Sequence, residues 1–148
     1  MSDVASFARL LRTIWLAVCG GAVAILAVMG GLAVTSGEPP LADARDGVFY
    51  GVALLAVGMT AGAFALFRSM EGRLLRAGSE AEARQTVQSL GVAALATAEV
   101  PAILGAVGAF LTGELLTLAF GLTLFAFAWL TWPSDDRVRQ WLSLRAHG

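Results

Sequence analysis

The sequence predicts an all-α fold of four transmembrane helices, and three observations carry that reading. Four stretches, residues 13–34, 48–67, 86–113 and 115–132, are apolar and hold a single charged side chain between them, Glu99. Each meets or approaches the ~20 residues that a bilayer-spanning helix needs. The 148-residue chain is 57% hydrophobic and 14% charged, with a mean hydropathy of +0.75. A soluble domain carries about 25% charged residues. The arginines, finally, are segregated. Nine of the ten lie before the first stretch, between the second and third, or after the fourth, and only Arg45 lies on the other side, with Glu38, Asp43, Asp46 and Glu114. By the positive-inside rule both termini are cytoplasmic, and the expected setting is a multi-pass protein of the inner (cytoplasmic) membrane.

The first helix is expected over 13–34, and an amphipathic start with Val4, Phe7 and Leu11 on one face and Arg9 and Arg12 beside them runs straight into it. Its apolar stretch exceeds the ~7–15-residue core of a signal peptide, so it reads as a retained span. Gly20-Gly21 and Gly30-Gly31 either admit close helix contact or are simply tolerated in an Ala/Gly-rich span. Ser36-Gly37-Glu38-Pro39-Pro40 then breaks the helix.

The second helix is expected over 47–77, ending on a left-handed cap at Gly78. Ser79 opens a capping box in which its hydroxyl takes an amide of the new helix and Glu82 reaches back to the Ser79 amide. Glu80 and Arg84 form an i,i+4 pair. The third helix then covers 79–112, about 50 Å at the α-helical rise. Together the two helices project a cytoplasmic stub about two turns tall. Its Arg68, Arg73, Arg76 and Arg84 either act only as the orientation signal or also contact anionic lipid headgroups.

Thr112-Gly113 makes a tight turn into a short fourth helix over 115–132, which Trp129 and Trp132 anchor in the headgroup layer and Pro133 stops. Residues 134–145 read as an interfacial amphipathic tail helix, with a disordered tail as the alternative; Ser134-Asp135-Asp136 would start it, with Val138, Trp141 and Leu142 on its apolar face.

Little in the chain suggests bond-making chemistry. Cys19 is alone and His147 is the penultimate residue, so neither a disulfide nor a ligand cluster can be assembled. There is no glycine-rich phosphate loop and no nucleophile with a base. The expectation is a non-enzymatic protein with no cofactor, no metal and no nucleic-acid partner. Small-residue helix faces favour lateral packing in the bilayer, as an oligomer or as an accessory subunit of a larger membrane complex.

Glu99 is the outlier. It lies about 20 Å by helical rise from Gly113, close to the bilayer midplane, where a carboxylate costs roughly 2.5–3.5 kcal/mol. Pro101 has no amide hydrogen, so the carbonyl of Thr97 loses its helical partner. Ala102, Gly105 and Gly108 form a smooth flank for another helix. A carboxyl in hydrocarbon favours its neutral form, which can hydrogen-bond a neighbouring helix through Thr60, Thr117 or Thr123. The same group with the freed Thr97 carbonyl can instead bind a proton or another cation.

The run 99–111, EVPAILGAVGAFL, resembles the carboxylate-bearing helix of the rotor-ring c subunits (proteolipids) of rotary ATPases. Gly51, Gly58 and Gly62 on the preceding helix and Arg84-Gln85 in the polar loop complete a similar hairpin over about a third of the chain. The resemblance implies that Glu99 carries a proton, since Val100 stands where sodium-binding rings place a hydroxyl. The chain departs from that family in its protruding loop and in placing the carboxylate on an odd-numbered span. The glutamate-plus-glycine third span and proline-led tail also resemble uncharacterised bacterial four-helix membrane proteins, a likeness that implies no activity.

Overall fold

The structure, a computed structural model, describes the backbone over residues 2–144 and side chains over 4–144. Arg145, the last residue of the expected tail helix, and His147 lie outside them. Among the described residues the chain is all-helical. Helix α1 runs unbroken over Ser2–Thr35, so the amphipathic start and the first span are one element. A 3₁₀ turn at Ala42–Ala44 leads into α2, Arg45–Leu74, and then α3, Glu80–Thr112. A 3₁₀ segment, Leu115–Phe120, precedes α4, Gly121–Leu130, and α5 covers Asp135–Leu144.

Three of these helices, α1, α2 and α3, are long and apolar enough to cross a membrane. The fourth expected span is not one helix. Leu115–Leu130 joins its 3₁₀ segment to α4, and α5 then bends away by 71°. Six residues at the 3₁₀ rise and ten at the α rise give about 27 Å, close to a ~30 Å hydrocarbon core. The 3₁₀ geometry thus lengthens a segment that is short in residues.

α3 is the hub, touching α1, α2, α4, α5 and the 3₁₀ segment. In its most apolar stretch 44% of residues are buried, against 11% for α1 and 17% for α2. Its start is set locally. Ser79 Oγ accepts the Glu82 amide at 3.2 Å, while Glu82 Oε2 accepts the Gly78 amide at 2.9 Å, one residue further out than expected. Arg84 pairs with Glu80 at 2.6 Å as expected.

The end of α2 differs from expectation. It stops at Leu74, and Gly78 has no positive φ; only Gly37 and Gly113 do among the described residues. The amides of Arg76 and Ala77 instead bond the carbonyls of Arg73 and Leu74 in tight i→i+3 fashion, which satisfies the helix end without a left-handed residue. Gly113 does take the left-handed form, at φ 70°, and its amide returns to Ala109. Leu41 docks this end by donating its amide to Leu111 O at 2.8 Å.

At the opposite, arginine-rich end, Phe7, Leu11, Trp15, Met70, Leu74 and Val87 form a core of large side chains. The tail helix closes it. Val138, Trp141 and Leu142 are buried as the periodicity requires, but against the protein itself: the Trp141 ring meets Phe67 edge-on at 5.7 Å. Arg12 pairs with Asp135, and Trp15 Nε1 donates to Thr131 Oγ1 at 3.4 Å. An apolar face expected at a membrane surface is therefore a lid on the bundle.

Candidate functional site

Glu99 sits in the seam between α1 and α3. It is half-buried, and a Cβ placed on Gly21 would stand 4.0 Å from Glu99 Oε1. The small Gly20-Gly21 step on α1 leaves room for the carboxyl, and Cys19 is near enough to interact with it electrostatically. Among the described residues the Glu99 carboxyl makes no hydrogen bond and no ion pair. A carboxyl facing glycine and thiol, without a donor, is unsatisfied among the described residues.

Successive helical residues are ~100° apart, so Thr97 falls on nearly the opposite side of α3 from Glu99. Its methyl lies 3.8 Å from where Gly62 of α2 would carry a Cβ, and its hydroxyl donates to Ala93 O at 2.8 Å. Pro101 is buried within α3. The structure therefore brings Glu99 to α1 and the Thr97 side chain to α2.

The three threonines expected to reach Glu99 are engaged or placed elsewhere. Thr117 donates to Gly105 O and Glu114 O, and Thr123 to Phe120 O. Thr60 Oγ1 is buried without a partner, beside a cavity of about 460 Å3 that α2 shares with Phe120 and Thr123. The carboxyl faces α1 instead. The sequence signal for that contact was the Gly20-Gly21 pair, whose bulk matches a large neighbour as well as a close helix.

The small-residue flank of α3 is occupied by the chain itself. A Cβ on Gly105 would stand 2.3 Å from the Thr117 carbonyl oxygen, and one on Gly108 3.6 Å from the Thr117 side chain. Ala102 faces Gly121, which lies in turn against Leu26 of α1. Backbone thus packs on backbone where the chain re-enters the bundle, and the Thr117 hydroxyl locks the contact on Gly105 O at 2.8 Å.

Of the four arginines expected at a headgroup layer, Arg68, Arg73 and Arg76 are exposed at the end of α2. Arg84 is drawn inward: it pairs with Glu80, and its guanidinium lies 5.5 Å over the Phe7 ring. Sequence reasoning missed Arg137, whose Nη1 donates to the carbonyls of Leu130 and Trp132 and so caps α4. Its spacing, seven residues beyond Leu130 across a proline, gives no periodic signal. Among the described residues no group of three His, Cys, Asp or Glu side chains is placed to hold a metal ion.

Fold and seam together define a helical bundle with three helices of membrane-crossing length and one acidic side chain held between two of them. The chain matches no protein-family model, no curated protein and no solved structure.

Proposed function

We propose that the protein is a small integral membrane protein that crosses the bilayer four times with both termini cytoplasmic. In this reading it is a non-enzymatic component that associates laterally, as an oligomer or as an accessory subunit of a membrane complex. The observation that carries it is the bareness of α1 and α2, whose most apolar stretches are only 11% and 17% buried. Val23, Val28, Leu54 and Val57 face outwards on them. Such faces need lipid or other helices to cover them. Because α3 already spends its Gly105–Gly108 flank on Thr117, a partner helix meets the outer faces of the other helices, α1 and α2 foremost. Measuring mass in nanodiscs tests this: an oligomer or a stoichiometric complex is expected, and a monomer whose outer faces crosslink to no other chain overturns it.

A second reading, proton translocation through Glu99, is favoured by the unpartnered state of that carboxyl in the α1–α3 seam. The two separate on Glu99→Gln in liposomes. Gln keeps hydrogen-bonding capacity, so assembly survives in the first reading, whereas proton flux is abolished in the second. Wild-type liposomes that conduct no protons above the empty-vesicle rate remove the second reading.

A further inference from the structure

At the elbow where α4 gives way to α5, Trp129, Trp132, Ser134 and Arg137 line a cavity of about 420 Å3. Trp129 is 83% exposed, more than any other large apolar side chain among the described residues, and Trp132 is half-buried. Indole rings so placed at the end of an apolar helix suit the headgroup layer, where an apolar body and a polar N–H are both satisfied. Arg137 is fixed beside them. Its Nη1 is held by the Leu130 and Trp132 carbonyls, while among the described residues its Nε and Nη2 have no partner.

Among the described residues no carboxylate forms an ion pair with this guanidinium. Asp135 is committed to Arg12, and Asp136 is exposed and forms no ion pair with Arg137. Glu71 lines a neighbouring cavity of about 440 Å3 on the other flank of Arg137, again without an ion pair among the described residues. The result is an oriented cation with two free donors, a hydroxyl and two aromatic faces at one level. Guanidinium matches phosphate oxygens in paired geometry, and the surrounding arginine-rich end adds a positive field.

We infer that the α4–α5 elbow is a phospholipid site, in which Arg137 holds the lipid phosphate and Trp129 and Trp132 flank the glycerol and upper acyl chains. Anionic phospholipid binds there more tightly than zwitterionic, because no ammonium group offsets its charge. The inference rests on the membrane reading above, and it differs from a diffuse attraction to arginine because it requires one residue in one cavity.

Native mass spectrometry of the detergent-purified protein, titrated with phosphatidylglycerol or phosphatidylcholine, tests it. Wild type should retain phosphatidylglycerol preferentially. Arg137→Gln should weaken that retention on the order of fivefold, the factor for ~1 kcal/mol per arginine near an anionic surface. Trp129→Leu, at an exposed position that leaves folding intact, should weaken it as well. Arg139→Gln removes the same charge from the exposed face of α5 and should leave retention unchanged. Equal losses in Arg139→Gln and Arg137→Gln, or no loss in Trp129→Leu, overturn the site. Competition by millimolar inorganic phosphate would make it a soluble-anion site and also overturn it. A protein that stays dispersed without detergent would sink the membrane reading instead, so the two failures are distinguishable.

Discussion

At the arginine-rich end the space between helices is filled by large side chains, with Leu11, Trp15, Met70 and Leu74 all fully buried. Midway along the bundle the interior is mainly small: Ala22, Ala94, Ala98, Ala102, Gly105 and Ala106 are buried, with Leu95 and Leu124 the large exceptions, while Leu54, Val57 and Leu122 point outwards. The first region is built as a water-soluble core is, by removing apolar area from solvent. The second is the arrangement expected where the surroundings are themselves apolar, so that large side chains gain nothing by turning inward and backbones approach through small ones. One chain thus uses two packing rules, and the change of rule marks where the solvent would change.

The largest test of that contrast is Trp15→Ala. Trp15 is fully buried against Gly91, where its ring lies 3.2 Å from the position of a Cβ. Its loss should cost about 3–5 kcal/mol, read as an earlier denaturation midpoint, and a cost under about 1 kcal/mol would deny the arginine-rich end a true core. Next comes a matched pair. Val57 is 70% exposed at the middle of α2, and Leu75 is 43% exposed just beyond its end. Val57→Arg should hinder insertion by about 2.5–3.5 kcal/mol, whereas Leu75→Arg should shift stability by less than about 0.5 kcal/mol. Equal tolerance of both would mean that water bathes both regions.

Gly105→Ala probes the small interior directly. Its added methyl would overlap the Thr117 carbonyl, and a loss of about 1–3 kcal/mol is expected in a thermal or denaturant titration. Gly51→Ala, with open space around it, should be neutral or slightly stabilising in the same assay. A smaller loss than that of Gly105→Ala is expected of Asp135→Asn. The Arg12–Asp135 pair is partly exposed, with side chains 34% and 46% accessible, and should contribute no more than about 1 kcal/mol. Hydrogen exchange at α5 amides reads that loosening, and unchanged protection would show that Trp141 and Val138 alone seat the tail.

How legible the molecule was depends on the range of each interaction. The Ser79–Glu82 cap and the Gly113 turn are settled within four residues of chain, and the structure has both. The Val138–Trp141–Leu142 face followed from helical period alone, but not what would cover it, because Phe67 is far away in sequence. The end of α2 was misplaced since two kinds of helix terminus satisfy the same carbonyls, and Gly78 is compatible with either. At the candidate site the isolation of Glu99 was readable, while its α1 neighbour was not.

By itself the sequence determined the all-helical class, the three long apolar helices and the segregation of arginine, because hydropathy, caps and breakers act over a few residues. Only the tertiary structure decided which way each helix is turned about its axis. That rotation sends Glu99 to Gly21 and Thr97 to Gly62, and it presses Thr117 into Gly105, converting the start of the fourth segment to 3₁₀ geometry. A helix with small residues on several sides has little local preference among such rotations, so the choice falls to the contacts its neighbours offer.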